Sequence, residues 1–196
     1  MSERNLYELP KDLPVPVDDG AADHLPGTRL PDVALPSTDG HNVRLDTAGS
    51  PWLIVYAYPK TGRPGEPELT PDWDQIPGAR GCTPESCGFR DHHTELRKLG
   101  AEVYGLSTQS TEDQRELAER IGLPFPVLSD SDLRLTKALN LPTFDVAGRV
   151  LTKRLTIAAR GGVIEHVWYP VFPPDTHAGE VVSWLASRAT EARGAG

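Results

Sequence analysis

Cysteine is scarce in this chain, with only Cys82 and Cys87 among 196 residues. Small secreted domains held together by disulfides usually carry more cysteines, so a purely structural bridge is not the favoured interpretation. A zinc site is not expected either, because there is no second cysteine pair and the adjacent His92 and His93 would diverge on a helix. A close cysteine pair in a reducing compartment then indicates redox chemistry.

Basic clusters and long apolar runs are also missing. The formal net charge is −8 and the longest basic cluster is Lys153-Arg154, so no nucleic-acid partner is expected. The longest strongly apolar run, residues 53–58, has the length of a strand, not of a membrane span. Residues 1–17 lack the continuous apolar stretch of a secretory signal. We therefore expect a soluble cytoplasmic protein with no membrane partner and no bound metal or cofactor.

Length and periodicity predict one α/β domain. Residues 1–25 are predicted to form a partly ordered N-terminal arm, residues 26–190 the domain, and residues 191–196 a flexible C-terminus. A hairpin turns at Asp39-Gly40, and a strand buried on both faces follows at residues 52–58. The later order of strand, helix and strand implies parallel pairing. Further predicted elements are helices at 83–100, 110–121, 133–139 and 178–189, strands at 102–107 and 126–129, and a hairpin formed by 153–158 and 163–168.

Cys82 is the candidate nucleophile. Thr83, Pro84 and Glu85 predict a helix start at this point, where unpaired N–H groups and the helix dipole lower the pKa of a thiol. The alternative is an inert buried cysteine, although its polar neighbours make a poor apolar wall.

Cys87 follows five residues later, where ideal helix geometry puts the two Cα atoms roughly 8 to 9 Å apart. A disulfide needs Cα atoms within about 7 Å, so bonding would require the first helical turns to unwind. Gly88 would ease that unwinding. The alternative for Cys87 is a packed helix residue that never bonds.

The segment from Gly81 through Cys82-Thr83-Pro84-Glu85-Ser86-Cys87 to Phe89-Arg90-Asp91 resembles the active-site segment of the peroxiredoxin family, in its bacterioferritin-comigratory or Q-type branch. Leu30-Pro31-Asp32, Tyr58-Pro59-Lys60 and the last hairpin and helix fall in the family's order. The resemblance implies a thioredoxin-like fold, with a central mixed β-sheet flanked by helices and an N-terminal β-hairpin extension. It also implies reduction of hydrogen peroxide or organic hydroperoxides.

The same resemblance assigns roles to particular residues. It implies Cys82 as peroxidatic cysteine, Cys87 as resolving cysteine, a thioredoxin-type protein as reductant, and a monomer or homodimer. Arg154 matches the family's active-site arginine best, and an arginine would hold a thiolate and stabilise charge on the departing oxygen. The alternative is a surface arginine. Glu85 also matches the family segment, with a helix-end charge as its alternative.

The family's usual threonine, three residues before the peroxidatic cysteine, is replaced by Ala79. Residues 61–80 are an insertion, and we expect Thr61, in preference to Thr70, to return a hydroxyl to the site. Trp73 is expected to anchor the insertion or to cover the pocket.

Two other functions remain open. Leu141-Pro142-Thr143-Phe144 resembles the turn opposite a thioredoxin active site, but a disulfide exchanger would use Cys-x-x-Cys. A redox-inert binding module of the same fold is the third possibility.

Overall fold

The computed structural model describes residues 5–194, so residues 1–4 and 195–196 of the predicted termini lie outside the described residues. Within that range no helix is long and apolar enough to cross a membrane. The strands are β1 (Ala34–Pro36), β2 (Asn42–Arg44), β3 (Trp52–Ala57), β4 (Ala101–Ser107), β5 (Val127–Ser129), β6 (Thr143–Val146), β7 (Arg149–Thr152), β8 (Leu155–Arg160) and β9 (Val163–Trp168). The helices are α1 (Cys82–Asp91), α2 (His93–Lys98), α3 (Thr111–Ile121), α4 (Arg134–Leu139) and α5 (His177–Gly194).

A five-stranded mixed sheet forms the centre, in the order β5-β4-β3-β8-β9. Strands β3, β4 and β5 run parallel, whereas β8 is antiparallel to both β3 and β9. The β1–β2 hairpin lies outside this sheet. The predicted mixed α/β arrangement with an N-terminal hairpin is therefore confirmed.

The central strand β3 is buried on both faces, as its unbroken apolar sequence predicts. Leu53 and Val55 point into one apolar cluster. Ile54 and Tyr56 point into a second cluster, which also holds Cys82. The active-site helix α1 therefore packs against the second face of the sheet, where Phe89 stacks on Tyr56 with ring centroids 4.3 Å apart.

Three elements differ from the predicted ones. The long helix expected up to Gly100 is divided into α1 and α2 at His92. The β6–β7 hairpin was not predicted. Helix α5 continues to Gly194, so residues 191–194, expected in a flexible C-terminus, prolong this helix.

The N-terminal arm packs on the domain. Leu6 and Leu25 are buried, and Asn5 and Glu8 accept hydrogen bonds from Arg80 through their backbone oxygens. Farther along, Asp19 accepts hydrogen bonds from Lys153 and Tyr169. The arm thus reaches the segment that precedes Cys82, a position that its sequence did not predict.

Candidate active site

Cys82 is the first residue of α1, as predicted. Gly81 stands before it with φ of 105°, a left-handed conformation that favours glycine. A Cβ atom on Gly81 would also lie only 2.7 Å from Leu9 Cδ2. The left-handed backbone conformation therefore favours glycine here, and this turn sets the sulfur at the helix start.

The Cys82 sulfur is enclosed, with only 3% of the residue exposed. Arg154 Nη2 donates to Sγ over 3.1 Å, and the thiol form donates to the carbonyl oxygen of Ala79 over 3.6 Å. The backbone N–H of Lys60 also faces the sulfur. Ala79 thus takes part through its backbone, although it lacks the family's hydroxyl.

Arg154 precedes β8, next to the end of the central strand, and is 3% exposed. Its Nη2 also donates to the carbonyl oxygens of Gly78 and Arg80, over 3.2 and 3.1 Å, while Nη1 pairs with Glu85 Oε2. The alternative of a surface arginine is therefore wrong. The insertion and the helix start together fix the guanidinium against the sulfur.

Burial governs the ionisation of this cluster. It raises the pKa of the Cys82 thiol, an effect that Arg154 opposes and the charge of Glu85 reinforces. Burial also raises the pKa of Glu85 to about 7 against the pull of Arg154. The predicted lowering of the Cys82 pKa is thus wrong for this buried thiol, because the loss of hydration outweighs the contacts with Arg154 and the Lys60 N–H.

Cys87 lies on α1 and is half-buried, and both cysteines are free thiols. Burial raises its pKa, and Arg90 partly opposes this. Since both cysteines belong to one continuous helix, a bond between them requires α1 to unwind, as the spacing predicts.

Thr61 is brought to the site by the start of the insertion. It lines a cavity of about 10 Å³ together with Cys82, which has room for about one water molecule. The Thr61 hydroxyl donates to Gln109 Oε1 over 3.1 Å, and its N–H donates to the same atom over 2.8 Å. The hydroxyl therefore shares the cavity with the sulfur but directs its own proton to Gln109.

Sequence reasoning missed Gln109 and the arm. Gln109 follows the carboxyl end of β4, where ligand-contacting residues of parallel sheets are usual, and this signal was available. The arm carries no such signal, although Leu6 lines the small cavity beside Cys82.

The insertion is anchored as the sequence indicated. Trp73 is buried in a small cluster with Ala79 and Leu151. By contrast, the segment that resembles a thioredoxin turn leads into β6, with Thr143 exposed. The insertion, not that turn, forms the wall beside Cys82.

Known proteins resemble this chain along most of its length. The AhpC/TSA family model matches residues 76–166. A chloroplastic peroxiredoxin Q of Sedum lineare is 30% identical over 82% of this chain and 77% of that protein. A chloroplastic peroxiredoxin Q of Oryza sativa subsp. japonica is 29% identical over 82% of this chain and 66% of its own length, so the chain spans about two thirds of that relative.

A solved structure has the same architecture. The crystal structure of peroxidoxin BcpB from Mycobacterium tuberculosis superimposes with a TM-score of 0.67 and 25% identity. The match covers 84% of this chain and 98% of that one. The likeness therefore extends over most of this chain and nearly all of that one.

Proposed function

This chain belongs to the peroxiredoxin family, in its Q-type branch, and on that basis we propose that it is a thiol peroxidase reducing hydrogen peroxide or organic hydroperoxides. The observation that carries the proposal is the 3.1 Å contact between Arg154 Nη2 and Cys82 Sγ at the start of α1. The cationic Arg154 opposes the burial that disfavours the Cys82 thiolate, and it stabilises the charge that develops on a departing oxygen.

In the first step the Cys82 thiolate attacks one peroxide oxygen. An S–O bond forms and the O–O bond breaks, so the sulfur is oxidised by two electrons to a sulfenic acid. The other oxygen leaves as hydroxide or alkoxide and takes a proton from solvent to become water or an alcohol. Arg154 stabilises the negative charge during this transfer.

In the second step the Cys87 thiol attacks the sulfenic acid. An S–S bond forms between the two cysteines and one water molecule leaves. A thioredoxin-type dithiol then reduces the disulfide and becomes a disulfide itself. The single helix that holds both cysteines makes unwinding of α1 part of every cycle.

Glu85 and Thr61 have supporting roles in this scheme. Glu85 pairs with Arg154 and orients its guanidinium towards the sulfur. Thr61 shares the small cavity with Cys82, where its hydroxyl oxygen can accept a hydrogen bond from the bound peroxide. Gln109 positions Thr61 through three hydrogen bonds: its Oε1 accepts from the Thr61 N–H and hydroxyl, and its Nε2 donates to the Thr61 carbonyl oxygen.

The compartment and the assembly are further parts of the proposal. A cytoplasmic location is proposed because both cysteines are free thiols, the state that a reducing compartment maintains. A fluorescent fusion at the C-terminus that collects outside the cytoplasm would contradict it. The protein is proposed to act as a monomer or homodimer, and light scattering that gives a larger assembly would contradict that.

A coupled assay tests the function. Thioredoxin, thioredoxin reductase and NADPH are mixed with peroxide and the protein, and NADPH oxidation is followed. We expect turnover with wild type and none with Cys82→Ser or Cys87→Ser. Reduction of a protein disulfide without peroxide consumption would indicate an exchanger, and inactivity of all three proteins would indicate a redox-inert module.

A further inference from the structure

Cys82 and its hydrogen-bond partner Arg154 line two cavities of different size. Cys82 shares a cavity of about 10 Å³ with Thr61, and Leu6 of the arm forms part of its wall. Arg154 lines a pocket of about 420 Å³. The first holds about one water molecule, whereas the second has the usual volume of a small-molecule site.

The larger pocket, called here the arm pocket, is built largely from the arm and the insertion. Residues 15–17 of the arm and residues 76–78 of the insertion form two of its walls, and Phe144 and residues 169–171 contribute to the rest. Most of these side chains are apolar. Val15 and Val17 are exposed large hydrophobic residues of the described chain, at 64% and 81%.

Polar contacts hold the arm in place at the rim. Asp19 accepts a hydrogen bond of 2.6 Å from Lys153 Nζ and another of 2.7 Å from the Tyr169 hydroxyl. These contacts lower the pKa of Asp19, so the carboxylate stays charged at neutral pH. The arm pocket is therefore formed before any ligand enters.

Arg154 connects the arm pocket to Cys82. It lines the arm pocket and donates to Cys82 Sγ through Nη2. Its buried Nε has no hydrogen-bond partner among the described residues. A buried donor without a partner is uncommon, and this one can donate to a peroxide oxygen that reaches the guanidinium during the reaction.

We propose that the arm pocket binds the apolar group of an organic hydroperoxide and directs its peroxide group to Arg154 and Cys82. Residues 15–17 and 76–78 then determine a preference for alkyl or aryl hydroperoxides over hydrogen peroxide. The inference rests on the peroxidase function proposed above. The products are the Cys82 sulfenic acid and an alcohol, which leaves through the arm pocket.

The test compares peroxides of increasing apolar size. Hydrogen peroxide, tert-butyl hydroperoxide and cumene hydroperoxide are supplied to wild type and to the double variant Val15→Ser/Val17→Ser. Both valines are exposed, so the fold tolerates the change. The control is Leu123→Ser, which removes a partly buried apolar side chain beside α3, away from the arm pocket.

We expect wild type to have its lowest KM for cumene hydroperoxide. In the double variant kcat/KM for cumene hydroperoxide should fall roughly tenfold, mainly through KM, with hydrogen peroxide unchanged. The control should keep the wild-type ratio of the two substrates. Equal loss with all peroxides, or no loss with any, would overturn this inference alone, whereas a wild type inactive with every peroxide would overturn the proposed function as well.

Discussion

Arg154 Nη2 lies 3.1 Å from Cys82 Sγ, and the same guanidinium pairs with Glu85 through Nη1. These three side chains are almost fully enclosed. The arginine therefore does two things at once: it compensates a buried carboxylate and it supports a buried sulfur. Changes at this position are expected to affect the reaction rate more than binding.

Arg154→Lys keeps the charge but removes the planar fork that reaches Glu85, Cys82 and two carbonyl oxygens together. We expect kcat/KM for hydrogen peroxide to fall roughly 100-fold, because one positioned donor to the departing charge is lost. Steady-state kinetics in the coupled assay measure this. Arg160→Lys is the control, since Arg160 is exposed and pairs with Glu165. An unchanged rate for Arg154→Lys would contradict a role for the Arg154 guanidinium in the reaction.

Gly88→Ala should slow the formation of the disulfide. Alanine stabilises a helix interior by about 1 kcal/mol relative to glycine, so unwinding of α1 becomes roughly five times rarer. The site has room, because the new Cβ would lie 3.4 Å from Ala178 Cβ. Rapid-quench mass measurements should show a longer-lived sulfenic acid and more over-oxidation. Gly179→Ala, the same change in α5, should behave like wild type.

Thr61→Ala tests the hydroxyl that shares the small cavity with Cys82. We expect a loss of roughly tenfold in kcat/KM, the effect of about one hydrogen bond. Thr61→Ser should retain most of the activity because it keeps the oxygen that accepts from the peroxide. If Thr61→Ala were as fast as wild type, the hydroxyl would have only its structural contact with Gln109.

His177 should make the fold sensitive to acid. Burial lowers its pKa to about 4, and its Nε2 lies 2.8 Å from Thr156 Oγ1. The folded pKa is below the unfolded value of about 6.5, so the stabilisation exists above that pH and is lost as the pH falls towards 4. Thermal unfolding should show a smaller loss of Tm between about pH 6.5 and 4 for His177→Gln.

Glu85 has the opposite effect on how the stability of the fold depends on pH. Its raised pKa of about 7 favours the folded state at low pH, and that contribution is lost as the pH rises from about 4.5 to 7. The comparison of wild type with His177→Gln leaves Glu85 unchanged. Equal pH dependence of Tm in the two proteins would contradict the assignment to His177.

The sequence predicted local structure best where the determining residues are neighbours. Helix α3 begins after Ser110, whose side chain accepts from the Asp113 N–H, and ends at Gly122 with a left-handed conformation, as predicted. Helix α1 begins at Cys82, within one residue of the predicted start, although no side chain caps it. The β6–β7 hairpin was missed because its turn places Ala147 at positive φ, where a turn signal favours glycine or asparagine.

Packing between residues far apart in the chain could not be predicted from local sequence patterns. The arm contacts Arg80 across about 75 residues of chain, and no local pattern reports this. Burial of Cys82 likewise depends on the insertion, the arm and Arg154, so the direction of its pKa shift was wrong when argued from the helix start alone. The thioredoxin-like fold and the choice of Arg154 came from family resemblance, and packing then explains their geometry.

Intact mass after reaction with one equivalent of peroxide tests the central claim, that Cys82 is oxidised and Cys87 resolves it. We expect reduced wild type to lose two hydrogens, Cys87→Ser to gain one or more oxygens, and Cys82→Ser to keep its mass. A Cys82→Ser protein that is oxidised as fast as wild type, or a wild type that does not change in mass, would contradict the account.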